Sequence, residues 1–176
     1  MIEIPILREI NFDKKGPFPK RIAYDIEVYP NFFSVAVADL DSDRLAFYEI
    51  SSRKNDFAKL HRDFKKFEYC ISWNGKEYDS VVLMELFKAF GSKFNPKADK
   101  ICKYAYTVSK ELIEYDVRKY VKPYWIEIDL FLFWSRLIRL SKKLSLKSMA
   151  NFIRWPWIQE LPIDPGSLIK EDQMEI

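Results

Sequence analysis

Two acidic residues stand two positions apart inside an otherwise β-prone run, Arg-Ile-Ala-Tyr-Asp-Ile-Glu-Val over residues 21–28, and this spacing limits what the chain can build there. On a strand, residues i and i+2 project from one face, so Asp25 and Glu27 point to one spot while Tyr24, Ile26 and Val28 point the other way. Like charges held that close repel, and either open solvent or a cation must relieve them. The solvent face of an edge strand is the plain alternative, because antiparallel sheets commonly alternate apolar and polar residues. The neighbour on the same face is the small, apolar Ala23, however, and the opposite face is bulky throughout. That favours a site for a hard divalent ion such as Mg²⁺ or Mn²⁺, which prefers carboxylate oxygens.

A chain of 176 residues has room for one domain with a real core and is short for two. The 14 Phe, 10 Tyr and 5 Trp supply large areas to bury, which marks the chain as globular. Its 29 basic and 26 acidic residues nearly cancel, so a polyanionic partner must be argued from local arrangement and not from net charge. Cys70 and Cys102 lack the spacing of a zinc site and the density of a secreted disulfide scaffold, which suggests a reduced, cytoplasmic setting. The single histidine, His61, excludes a multi-histidine metal centre, and its neighbours Lys59, Arg62 and Lys65 suggest a solvated helix face. No apolar run reaches membrane-spanning length and no signal-peptide pattern opens the chain, so no membrane role is expected.

Residues 1–20, with three prolines and Gly16, read as an irregular lead-in to a domain over 21–176. Strands are predicted at 21–28, 32–39 and 44–50, joined by Tyr29-Pro30-Asn31 and Asp41-Ser42-Asp43 as a three-strand antiparallel meander. Phe57, Leu60, Phe64 and Phe67 recur at helical spacing, Tyr69–Trp73 reads as a short buried strand, and Asn74-Gly75 as a sharp turn. A helix over Asp79–Phe90 carries the stripe Val82, Leu83, Leu86, Phe87 and Phe90, and Gly91 ends it. Residues 92–119 read as helix or loop. A strand at 125–130, an apolar helix at 131–140, a short helix over 146–153 capped by Ser145 and a last helix starting at Ser167 or Leu168 complete the pattern. Helices interleaved with strands make an α/β mixed sheet. A right-handed crossover places the 69–73 strand beside the first, which brings Asp79, at the start of its helix, toward Asp25 and Glu27.

Together, Asp25-Ile26-Glu27 with Tyr29-Pro30-Asn31, and Asn74-Gly75-Lys76-Glu77-Tyr78-Asp79, resemble the first two motifs of the DEDD-type 3′ to 5′ exonucleases, Asp-x-Glu and Asn-x-x-x-Phe/Tyr-Asp. The likeness is strongest to the proofreading domains of bacteriophage DNA polymerases. Ile128-Asp129-Leu130 and Leu144-Ser145-Leu146-Lys147-Ser148 resemble the strand and helix that follow in that family, so the resemblance runs from about Arg21 onward. It implies a ribonuclease-H-like fold, antiparallel meander plus parallel strands, and a two-metal mechanism in which paired Mg²⁺ or Mn²⁺ ions about 3.5–4 Å apart stabilise the attacking and leaving oxygens. By the same resemblance Asp25, Glu27 and Asp79 are the catalytic metal ligands. Asn74 and Tyr78 are expected to meet the terminal nucleotide of a single-stranded DNA 3′ end, and a polymerase domain or subunit is the expected partner. Lys76, inside the second motif, suits a nucleic-acid contact or an ordinary surface position in an Asn-Gly turn.

The family's fourth acid belongs to a Tyr-x-x-x-Asp or His-x-x-x-Asp motif in a C-terminal helix, and no such motif follows Pro165. Residues 167–176 resemble only the opening of that helix, so the chain is expected to lack most of it. Three explanations follow: a fragment of a longer enzyme, a helix supplied by a second chain, or a non-catalytic nucleic-acid-binding or polymerase-docking module. Asp129 and Asp172 are substitute acids, one at a non-catalytic position in the family and the other early in the helix. The cluster Lys142, Lys143 and Lys147 suits phosphates or a solvated face, and Trp155 and Trp157 suit unpaired bases or packing on Pro156. Because nothing in the motifs reads the sugar, an exoribonuclease is the alternative enzyme.

Overall fold

Alternation of apolar and polar side chains in the first fifty residues produces strands where it predicts them. The computed structural model describes residues 8–9, 16–93, 95–138, 145–154, 163–164, 166–170 and 173. A two-residue strand, β1 (Arg8–Glu9), precedes the meander β2 (Arg21–Tyr29), β3 (Phe32–Asp39) and β4 (Arg44–Ile50), whose members pair antiparallel in that order. The lead-in is therefore not wholly irregular, because β1 pairs parallel with β4. Helix α1 (Phe57–Phe64) then crosses to β5 (Tyr69–Ser72), which lies parallel beside β2 as the crossover predicts. Helices α2 (Asp79–Phe90) and α3 (Ala98–Ile113) follow, and β6 (Ile126–Asp129) pairs parallel with β5. The sheet order is β1-β4-β3-β2-β5-β6, an α/β arrangement of antiparallel and parallel strands flanked by helices.

Two helices complete the described chain. In α4 (Leu130–Ile138) the apolar run continues directly from β6, and α5 (Leu146–Phe152) opens on Ser145, whose hydroxyl accepts the Ser148 N–H at 3.0 Å as the capping pattern requires. The predicted last helix differs. Residues 167–170 are not helical, and Asn31 holds Ile169 at both ends of its amide: its Nδ2 donates to the Ile169 carbonyl at 2.8 Å, and its Oδ1 accepts the Ile169 N–H at 2.9 Å. Backbone groups spent on a side-chain amide are lost to a helix. Ile169 also packs on Tyr29 and Phe32, which makes a small second apolar cluster.

The main core lies on the Tyr24 face of β2, where Ile22, Tyr24, Ile26 and Val28 meet the buried faces of α1, α2 and α3. Phe64, wholly buried, touches the rings of Tyr24, Phe67, Phe87 and Trp125 at centroid distances from 5.0 to 6.0 Å. Burying such a side chain stabilises by about 1.5–3 kcal/mol. The far edge of the meander is held by ion pairs, Arg44 with Asp39 at 2.7 Å and Arg53 with Glu49 at 2.8 Å, while the Tyr48 hydroxyl donates to buried Asp63 at 2.9 Å. Among the described residues no helix is long and apolar enough to cross a membrane.

His61 departs from its predicted solvated role. Its ring lies 4.8 Å from that of Phe87 and near Phe57 and Tyr124, and its Nε2 is buried without a hydrogen-bond partner among the described residues. Tyr124, far along the chain, closes over it, a contact that helical periodicity cannot reveal. Burial, with the nearby Lys65 charge, pushes its pKa below the ordinary 6.5. The unfolded chain therefore binds this proton more readily, so its contribution is intact above pH 6.5 and is lost as pH falls below it. Replacing His61→Phe keeps the stacking and removes the titration. In urea melts, the stability advantage of the variant over the wild type is expected to widen as pH drops from 7.5 to 5.

Candidate functional site

Pairing between β2 and β5 lasts only from Arg21↔Tyr69 to Ala23↔Ile71, after which β2 continues to Tyr29 and the other chain turns away beyond Ser72. A crevice opens where two parallel strands diverge at their carboxyl ends, the place where sheets of this kind bind ligands. Asp25 lines one wall, and Asp79, the first residue of α2, lines the other. The cross-strand partners of Asp25 and Glu27 are the small residues Ala36 and Ser34. Alternation along β2 is as predicted: Tyr24, Ile26 and Val28 are buried, Asp25 is in contact with solvent and Glu27 is half-buried.

The three acids are coupled electrostatically through Asp25. Burial pushes the Glu27 carboxyl up to about 7, with the Asp25 charge as the second cause. Asp79, only 4% exposed, is pushed up to about 8, chiefly by burial and then by Asp25. The Asp25 carboxyl is itself raised by the protein around it, although the residue reaches solvent. The Ile26 N–H offsets part of the shift at both Asp25 and Asp79, so both carboxyls sense one backbone dipole. Among the described residues no salt bridge reaches any of the three. By contrast Glu49, on the same sheet face one row beyond Ser34, is paired with Arg53. The site thus holds excess negative charge that only protons or a cation can relieve. Even so, no group of three or more Asp, Glu, His or Cys among the described residues stands in an arrangement able to hold a metal ion. The acids couple as two pairs that share Asp25.

Strand β6 braces the second motif from below. Asp129, buried, accepts the Asn74 N–H and the Lys76 N–H at 3.1 Å each and the Leu132 N–H at 3.2 Å. Its carboxylate is spent on the turn and the start of α4, which argues against a role as a substitute metal ligand. The turn needs that support because Asn74 sits at φ 64°, in the left-handed region. Glu127, two residues earlier, accepts from Tyr24 Oη at 3.1 Å and Ser80 Oγ at 2.8 Å, and also from Ser72 Oγ and Trp125 Nε1. Tyr24 and Ser80 are the chain neighbours of Asp25 and Asp79, so one carboxylate ties together the backbones that carry the two acids. The signal was present in the sequence, since Glu127-Ile128-Asp129 repeats the two-residue spacing of Asp25-Ile26-Glu27.

Other predicted contacts fall around the same crevice. Asn74 and Tyr78 line it together with Trp73, Phe131 and Leu146, around a volume of about 390 Å³. The Trp73 and Phe131 rings meet edge to face at 6.1 Å, an aromatic wall beside the acids that sequence reasoning did not single out. The Tyr78 hydroxyl is 2.8 Å from Ser109 Oγ, and burial raises its pKa to about 12. Lys76 carries its side chain into solvent. Glu27 faces a neighbouring cleft of about 480 Å³ with Tyr29, Tyr78, Lys110 and Asp164, the last an acid from the C-terminal segment that the motifs did not point to. Lys147 is exposed on α5, whereas Lys142, Lys143, Trp155, Trp157 and Asp172 lie outside the described residues.

Two measurements check this electrostatic and bracing account. A carboxyl whose folded pKa is raised binds its proton more tightly when folded, so it costs stability as pH climbs from about 4 toward 8. Asp79→Asn is therefore expected to raise the melting temperature at pH 8 and to leave it nearly unchanged at pH 4. Asp129→Ala strips the acceptor from three N–H groups and is expected to cost about 1–3 kcal/mol in chemical denaturation.

Compared with known proteins, the chain matches no family model, no curated protein and no solved structure.

Proposed function

We propose that this chain is a metal-dependent 3′ to 5′ exonuclease of the DEDD type, with a ribonuclease-H-like fold, acting on the ends of single-stranded DNA. One observation carries the reading: Asp25 and Asp79, drawn from diverging parallel elements, share a crevice in which burial and mutual repulsion hold protons on Asp79 and on nearby Glu27. The sheet, an antiparallel meander continued by parallel strands, agrees with the fold that the motifs imply.

Oxygen-only donors with excess negative charge fit Mg²⁺ or Mn²⁺ in chemistry, although the acids are placed as two pairs and not as a closed set of three. Asp25, Glu27 and Asp79 would hold the ions, which would supply charge neutralisation at a scissile phosphate. The remaining work falls to this chain's own groups. Trp73, meeting Phe131 edge to face, offers an unpaired terminal base a stacking surface. Asn74 and Tyr78 bound the sugar-phosphate side, and Ser109 fixes the Tyr78 ring by holding its hydroxyl. Polarity of digestion and the choice of DNA rest on the motif resemblance, as do a cytoplasmic location and a proofreading role beside a polymerase domain or subunit.

A second reading, a non-catalytic single-strand-binding module with the same fold, is favoured by the absence of a three-residue ligand group among the described residues. Incubation of 5′-labelled single-stranded DNA with Mn²⁺ separates the two. The enzyme reading expects stepwise shortening from the 3′ end, reduced about 100-fold or more by Asp25→Ala. DNA that stays intact yet bound would establish the module instead, and faster shortening of an RNA strand would assign an exoribonuclease.

A further inference from the structure

Beside the crevice, across Tyr78, lies a second groove of about 440 Å³, formed between the Asn74–Tyr78 turn and the chain that leaves α3. Asn74 and Tyr78 line both spaces, so the two adjoin at the Tyr78 ring, which Ser109 holds in place. The far wall carries Ile113, Val117, Arg118 and Lys119. From Tyr115 to Pro123 the chain is neither helix nor strand, and it places Tyr115 at 68% and Tyr120 at 97% exposure among Arg118, Lys119 and Lys122. Aromatic rings left in water beside cations are what a single-strand platform needs: flat faces for bases and charges for the backbone.

The charges are mixed, which narrows where a polyanion would lie. Glu77 and Asp116 also line the groove, and Lys119 is held by Glu111 at 2.6 Å. Lys76 and Arg118 have no acidic partner among the described residues and stand on opposite walls. A phosphodiester backbone passing between them would meet a cation on each side, whereas an apolar peptide would leave both charges without partners.

We infer that this groove and residues 115–122 form a second contact site for unpaired nucleic acid, gripping the strand a few nucleotides behind the end that enters the acidic crevice. The inference rests on the nucleic-acid reading above and adds the path of the strand. Fluorescence anisotropy of the full chain in chelator tests it without any cleavage. The probes are labelled oligothymidylate and oligouridylate of about twelve nucleotides and a thymidine dinucleotide, each in about 50 and 200 mM salt. Arg118→Glu is expected to weaken binding of the long thymidylate about ten-fold at low salt and to lower the salt slope by about one. Tyr120→Ala is expected to weaken it about five- to ten-fold with the slope unchanged. Both variants are expected to bind the dinucleotide as the wild type does, and equal losses on the uridylate would support a contact to the shared backbone. Lys88→Glu, the same charge change on exposed α2 surface, serves as the control. If the long thymidylate binds both groove variants as tightly as it binds the control, the groove inference falls while the crevice reading stands. A wild-type chain that does not bind the long thymidylate overturns the groove inference, and the crevice reading is then decided by the Mn²⁺ cleavage assay alone.

Discussion

The carboxylate of Glu127 is the point on which the arrangement of the site depends. It gathers Tyr24 from β2, Ser72 from β5, Ser80 from α2 and Trp125 at the entry to β6, so four separate stretches of chain share one acceptor. A half-buried carboxylate with four donors is well satisfied. The same donors without it would be stranded in a low-dielectric interior, where each unmet group costs about 1–3 kcal/mol. Gly75 belongs to the same construction, since a Cβ there would run into Ser72 Oγ and lie 2.8 Å from Glu127 Oε1. The turn that presents Asn74 and leads into Asp79 therefore sits against both acids of β6, its Asn74 and Lys76 amides on Asp129 and Gly75 close to Glu127.

On that frame the protein carries charge in two ways. Asp39 and Glu49 are buried with arginines: burial pushes their carboxyls up, but hydrogen bonds from Ser42, the Asp41 N–H and Arg44 to Asp39, and from Arg53 and Ser51 to Glu49, hold both below the ordinary range. Asp25, Glu27 and Asp79 are crowded without a cation and shift the opposite way. Within one sheet the paired acids contribute to stability at neutral pH, and the unpaired ones subtract from it. Such a cost is ordinarily tolerated where ligand binding offsets it, which is the physical ground for placing function in the crevice and not along the meander.

The meander, the α2 stripe and the Ser145 cap were all legible because each rests on local periodicity or on a side chain within three residues of its partner. So was the adjacency of β5 to β2, through the chirality of crossovers. The burial of His61 was hidden because Tyr124 reaches it across a long stretch of chain. The extended course of residues 167–170 was hidden because Asn31, a turn residue by sequence, is also a two-point clamp. Of the candidate site, Asp25, Glu27 and Asp79 came from strand spacing and crossover handedness, and Asn74 and Tyr78 from the resemblance to the exonuclease motifs, whereas Trp73 and Phe131 looked like core residues until β5 and α4 set them against each other.

Spacing alone determined that Asp25 and Glu27 share a face and that Asp79 opens a helix, because the two-residue period of a strand and the apolar stripe of a helix are properties of the local backbone. Only the tertiary structure decided how far their repulsion is felt, because burial and the charges that other elements bring set a carboxyl's proton affinity. The same holds for the acids of β6. Their chain positions do not distinguish a ligand from a brace, and it was the arrival of the Asn74 and Lys76 amides and the Tyr24, Ser72 and Ser80 hydroxyls that made Asp129 and Glu127 structural.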